Sequence, residues 1–403
     1  MQTQKKTITQ DKPATARIYG LQFVFLCLSS FLFFLSFNLI IPELPDYLSS
    51  MGGEEYIGLI IGLFTLTAGV SRPFSGKLAD HWGRIPVMIL GAVVCCICGV
   101  LYPFLVSVSG FLLLRLMHGF STGFKPTGTS AYVADLVPAN RRGEAMGILG
   151  FCGNIGMASG PALGSWVATE FSLDSMFYIS AAAAILSVIV LAGMKETLPN
   201  PKPFQWKMLS VNSKEVIEPR VWLPSVILML SIFPLGIVLT LIPDFSKHIG
   251  LENKGIFYTY YTLASLMVRI LAGKTSDRYG RVPVIIVALL VLVIAMVFLG
   301  MAETKTGLLT GAVLFGLGVG MNNPTIIAWT IDLSHEQHRG KAISTMYIAL
   351  ETGIGVGAVF SGWLYGGAVE MLKYSFWSGA ITSFLALLLL TVQAGKKYRK
   401  QKE

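Results

Sequence analysis

Five polar side chains fall on one stripe of an otherwise apolar stretch: Arg115, His118, Thr122, Lys125 and Thr129. Their spacings of 3, 4, 3 and 4 residues put them on a single helical face. Three of the five can carry positive charge, and a distant apolar stretch adds one acid, Glu351. Charged groups in apolar surroundings are expensive, so they bind something, exchange protons or pair with one another. A carboxyl removed from water holds its proton more tightly, and a nearby cation loosens it. Glu351 therefore reads either as a proton carrier, trading a proton against a bound molecule, or as half of a static ion pair with Lys125 or Arg115. His118 reads as a second protonatable group or as a packed, hydrogen-bonded histidine. Lys125 lies ~16 Å of helix from the nearer end of its stretch, too far to reach water by extending its chain.

The face bearing these residues is expected to line a central water-filled cavity. Other polar groups in apolar runs belong to the same lining: Asn38, Asn154, Asn322 and Asn323, with Tyr258, Tyr261, Ser265 and Arg269 on one further helical face. Three potential cations against one acid favour an anionic, zwitterionic or neutral amphiphilic ligand. Glu43 and Asp46, beyond the end of an apolar run, are expected to be solvated. The five cysteines all lie in apolar runs. The spacing of Cys95, Cys96 and Cys98 does not place them on one helical face, so they read as filler and no metal site is expected.

The elements that must hold these groups follow from composition. The chain has 403 residues, 53% hydrophobic and only 13% charged. Its apolar residues come in blocks of about 20, enough for a helix to cross a bilayer. Twelve such spans can be drawn, and the chain repeats itself. Gly76–Met88 and Gly273–Ile285 share seven of thirteen positions at an offset of 197. The shared residues include Gly76, Asp80, Gly83 and Arg84, matched by Gly273, Asp277, Gly280 and Arg281. Arg72 with Arg269 and Asp135 with Asp332 keep the same offset, and Glu351 falls opposite Asn154. Such a repeat marks a membrane protein of two six-helix halves. The expected fold is all-α, with two pseudo-symmetric six-helix bundles. The expected layout is a tail over 1–17, a first half over 18–194, a linker over 195–220, a second half over 221–394 and a basic tail over 395–403. The linker is expected to hold a short interfacial helix near Trp206 and Met208.

Of 31 lysines and arginines, 23 lie on the side of the termini, 4 on the other side and 4 within spans. That bias places both termini in the cytoplasm of a cell with the protein in its plasma or inner membrane. It also explains the net charge of +9 without nucleic acid, because the cations sit where anionic lipids lie. No zinc-protease or nucleotide-binding motif is present, which argues against an enzyme or an ATP-driven pump.

Gly76-Lys-Leu-Ala-Asp80-His-Trp-Gly83-Arg84 resembles the loop 2–3 signature of the major facilitator superfamily, and Asp277–Arg281 its weaker second copy. The resemblance covers nearly the whole chain. It implies that Gly76, Asp80, Gly83, Arg84, Asp277, Gly280 and Arg281 form a cytoplasmic gate, with Asp80 against a helix N-terminus of the other half when the outer side is open. Arg115 with His118 and Gly119 resembles a second signature, whose arginine is tied to proton coupling. Gly156, Gly160, Pro161 and Gly164 resemble the pattern of the antiporter subgroups, and Pro42 and Pro45 fit the 12-span drug/proton antiporters. The function so implied is export of a small amphiphilic molecule in exchange for protons, by a monomer that needs no cofactor beyond the proton gradient. The alternatives are an importer on the same fold, or a membrane-embedded sensor or enzyme.

Overall fold

The computed structural model describes residues 20–138, 141–210, 216–334 and 339–400. The tail expected over 1–17 and the last residues of the basic tail, 401–403, lie outside the described residues. Among the described residues all regular structure is helical. Twelve long helices follow in order: α1 (Leu21–Ile40), α2 (Ile57–His81), α3 (Arg84–Leu101), α4 (Val108–Leu136), α5 (Arg142–Glu170), α6 (Leu173–Ala192), α7 (Trp222–His248), α8 (Ile256–Tyr279), α9 (Arg281–Gly300), α10 (Lys305–Leu333), α11 (Arg339–Tyr365) and α12 (Met371–Lys400). A 3-10 turn, Ile41–Glu43, and a short helix, Leu44–Ser49, follow α1.

Among the described residues nine helices are long and apolar enough to cross a membrane: α1–α3, α6, α7 and α9–α12. α8 joins them when its 41° bend is taken within one span. The remaining two, α4 and α5, carry the polar face and the glycine–proline pattern. Successive helices run antiparallel, so α1 starts and α12 ends on one face of the bundle, here the near face. The turns after α1, α3, α5, α7, α9 and α11 lie on the opposite, far face.

The sequence repeat is reproduced in the backbone. α4 and α10 are both 29 residues long, and their first residues, Val108 and Lys305, stand at the repeat offset. Each starts on a hydroxyl cap: Ser107 accepts from the Gly110 amide at 3.2 Å and Thr304 from the Gly307 amide at 3.1 Å. The caps satisfy amides that have no partner inside the helix. Gly83 and Gly280 have φ of 142° and 93°. Only glycine takes such angles without strain, and here they let the chain reverse between α2 and α3, and between α8 and α9, with almost no loop.

Glycines also set how closely helices approach. Gly156, Gly160 and Gly164 of α5 press on the carbonyls of Phe31, Leu35 and Leu39 in α1. Their counterparts Gly353 and Gly357 of α11 press on the carbonyls of Met229 and Phe233 in α7. Small residues at this spacing let backbones pack without intervening side chains.

The halves meet along two seams. In one, Gly58 and Gly62 of α2 pack on Ala358 and Val359 of α11, and the contact runs on to Gly69 and Arg72 against Glu351. In the other, Gly255 packs on Pro161, and the Thr259 hydroxyl donates to the Ala158 carbonyl at 2.7 Å. This α5–α8 seam lies toward the far face. On the near face the linker packs against the first half: the Lys202 amide donates to the His81 carbonyl at 2.8 Å, and Phe204 meets Trp82 edge-on. The expected interfacial helix is a 3-10 turn, Trp206–Leu209, whose Met208 is buried against Leu78 and Val87.

Candidate functional site

The spacing on α4 did place its polar side chains on one face, but that face is turned onto α1, α2 and α3 instead of open volume. Arg115 is 2% exposed, His118 0% and Lys125 1%. Arg115 donates from Nε to the Ile60 carbonyl at 2.9 Å and from Nη1 to the Tyr102 hydroxyl at 3.2 Å, with its guanidinium over the Phe64 ring. The His118 ring lies between Cys95 Sγ at 3.3 Å and the Tyr102 hydroxyl at 3.2 Å. Lys125 donates to Ser30 Oγ at 3.2 Å and rests over Phe33. Thr122 and Thr129 donate to carbonyls of their own helix. Carbonyls, hydroxyls and ring faces of neighbouring helices thus solvate the cations. None of these partners is ionic, which is why charge-counting could not find them.

Several other expected lining residues are also seated within their own half. Asn38 donates to the Phe34 carbonyl at 2.8 Å, Asn322 to Ser231 at 2.8 Å, and Tyr258 to the Val238 carbonyl at 3.3 Å. Tyr261 packs its ring on Phe315. Asn154 and Asn323 are half-buried.

Glu351 is different, because it joins the halves. Its carboxylate accepts from Arg72 Nη2 at 2.9 Å. Arg72 comes from α2, and the Tyr347 ring lies 4.5 Å below its guanidinium. The expected partners Lys125 and Arg115 are held elsewhere, and Arg72 takes their place. An apolar cavity of about 860 Å³ between α2 and α11 reaches Glu351, lined also by Thr65, Leu66, Val70, Val356 and Phe360.

A second cross-half cluster lies on the far face. Lys254, in the turn between α7 and α8, donates to Glu43 at 2.8 Å and to Asp46 at 2.7 Å. Lys247 reaches Asp46 at 3.5 Å, and Ser165 donates to Glu43 at 2.7 Å. Glu43, expected to be solvated, is buried. It lies in the 3-10 turn Ile41–Glu43, which carries Pro42 in its first turn and continues α1 toward Ser49. Burial alone would lower the Lys254 ammonium's pKa, but the two carboxylates outweigh it and hold the lysine above its ordinary value. The partner 208 to 211 residues away gave no local sequence signal.

The near-face signature residues form two matching triads. Arg84 binds Asp80 at 2.7 Å and Asp135 at 3.0 Å; Arg281 binds Asp277 at 2.5 Å and Asp332 at 2.9 Å. Each triad stays inside one half. Asp80 is mostly exposed and, among the described residues, pairs only with Arg84 of its own half. A carboxylate does sit at a helix N-terminus, but it is Glu196 of the linker, accepting from the Arg84 and Ile85 amides at 3.1 and 3.0 Å. Gly76 has open space around it.

Comparison with known proteins places this architecture. The model of the Major Facilitator Superfamily matches residues 26–254 and again 224–403. The chain belongs to the Major Facilitator Superfamily. Multidrug resistance protein 2 of Bacillus subtilis is 26% identical over 288 residues, covering 69% of this chain and 70% of that protein. Multidrug resistance protein MdtG of Escherichia fergusonii is 25% identical over 394 residues, covering 93% of this chain and 94% of that one. Among solved structures, a D-xylose-proton symporter superposes with a TM-score of 0.73 at 20% identity, covering 91% of this chain and 96% of that one. Membership of the superfamily and the likeness in sequence to multidrug resistance proteins make this a membrane transporter, not an enzyme.

Proposed function

We propose that this major facilitator protein exports small amphiphilic molecules from the cell in exchange for protons, by alternating access across the plasma or inner membrane. Both termini are then cytoplasmic and the far face is the outer one. The observation that carries the reading is the Arg72–Glu351 pair, a buried ionic contact at the α2–α11 seam between the halves. Protonating Glu351 removes the charge that holds Arg72, so the seam loosens. Deprotonation restores it. A single carboxylate thereby links proton occupancy to how the halves sit, which is what exchange requires.

In this arrangement the far face is closed by the Glu43–Lys254–Asp46 cluster, while both near-face triads stay within their halves. That pattern fits the cytoplasm-facing state. Opening outward breaks the far-face cluster and brings Asp80 to the other half. Efflux is supported by the sequence likeness to multidrug resistance proteins, while the same fold also serves a symporter, so flux direction is the quantity to measure. Purified full-length protein in proteoliposomes, given a proton gradient and a panel of lipophilic dyes, tests the proposal. Dye-dependent collapse of the gradient supports exchange. Dye movement with no proton movement contradicts it.

A further inference from the structure

The near-face ion pairs are repeated in both halves, whereas the pair at the α2–α11 seam is not. Arg84 with Asp80 and Asp135 has its counterpart, residue for residue and nitrogen for nitrogen, in Arg281 with Asp277 and Asp332. Arg72 and Arg269 are also repeat counterparts, on α2 and α8. Arg72 has an acid across the seam, Glu351 on α11. Exchanging the halves predicts an acid on α5 for Arg269, at the position equivalent to Glu351. That position is Asn154. Among the described residues Arg269 has no ion-pair partner, and its Nε is buried without a hydrogen bond. The Arg72 Nε is likewise unpartnered, but its Nη2 holds Glu351.

Arg269 lies within electrostatic reach of Tyr261 and Tyr347. Tyr347 is the ring beneath Arg72, so both arginines act electrostatically on one tyrosine of α11. Once Arg72 and Glu351 are counted against each other, Arg269 leaves this region with one net positive charge. Arg115, His118 and Lys125 do not contribute to it, being sealed inside the first half. A guanidinium whose Nε is buried without an acceptor forgoes both water and a charge-assisted hydrogen bond at that nitrogen. Its planar fork matches a carboxylate or similar oxyanion, and its charge does not titrate away.

We infer that Arg269 binds the anionic group of the transported molecule, a carboxylate or comparable oxyanion, in the role that Glu351 plays for Arg72. The inference deepens the transport reading and rests on it, by naming the charge class of the substrate. An apolar body then extends from the bound anion between the halves. An anion there also supplies the second seam with an ionic contact that the repeat omits from the protein itself.

The test is titration calorimetry on the purified full-length chain with 1-naphthaleneacetate and its amide, which share ring and size but differ in charge. Wild type is expected to bind the carboxylate at least tenfold more tightly than the amide. Arg269→Gln should remove that preference and leave amide binding unchanged, which also shows the site folded. Asn154→Asp, which supplies the missing acid, should weaken carboxylate binding at least tenfold and spare the amide. Equal binding of both compounds by wild type overturns the inference. So does wild-type carboxylate preference in both variants, or loss of both compounds together in both. Binding needs no gradient, so a failure of proton exchange with the carboxylate preference intact refutes the coupling proposal alone.

Discussion

At the scale of single residues, the decisive groups are those whose partners come from the other half. Glu351 was legible as an unusual acid because it stands alone in an apolar run. Its partner was not, because Arg72 lies 279 positions away and four intramembrane cations compete for it. The α4 stripe shows the converse: periodicity gave its geometry, while the Tyr102 hydroxyl, the Ile60 carbonyl and the Phe64 ring that satisfy it have no sequence signature. A buried pair loses most when one member is left alone. Arg72→Leu should therefore destabilise the protein by about 3–5 kcal/mol, and Arg72→Leu with Glu351→Leu by much less. Thermal unfolding in detergent reads both, and equal losses in the two variants argue against a direct pair. Lys254 gives a pH prediction. Its pKa is raised in the folded state, so its contribution is complete below the ordinary lysine value and is lost only as pH rises through the raised one. Amide protection of the far-face turns should hold between about pH 7 and about pH 9. Loss of protection in that window would show that another group governs the closure.

At the scale of elements, the sequence was most informative where the repeat and glycine spacing coincide. The twelve helices, the reversals at Gly83 and Gly280 and the α1–α5 contact all follow from local chemistry. In this structure the glycine–proline pattern packs α5 on α1, the close helix approach that its small residues permit. A Cβ at Gly164 would run into the Leu39 carbonyl. Gly164→Val should thus cost about 3 kcal/mol or more, or prevent folding, with no relief from flexible side chains. Gly76 faces open space, so Gly76→Ala should leave thermal stability within about 0.5 kcal/mol of wild type. A slower transport rate in that stable variant places Gly76 in the gate; a large stability loss gives it a packing role. The linker was read as a connector, and nothing in its composition told that Glu196 caps α3.

At the scale of the whole molecule, the two halves are held by contacts that the repeat does not duplicate. Glu43, Asp46 and Lys254 fall opposite Thr240, Pro243 and Ile57 under the offset, so acids on one half meet lysines on the other. Internal symmetry builds each half, and departures from it join them. Removing Lys254 leaves Glu43, Asp46 and the neighbouring Asp244 facing Lys247 alone. Lys254→Met should raise hydrogen exchange in the turns after α1 and α7 and lower it around Asp80. A rise on both faces would mean general loosening, not a shift between states. If Glu351 couples protons to movement of the halves, proton flux in proteoliposomes holding wild type or Glu351→Gln reads it directly. Wild type is expected to move protons in a substrate-dependent manner and the variant to move none, with substrate binding retained. Proton movement at the wild-type rate in Glu351→Gln would contradict it.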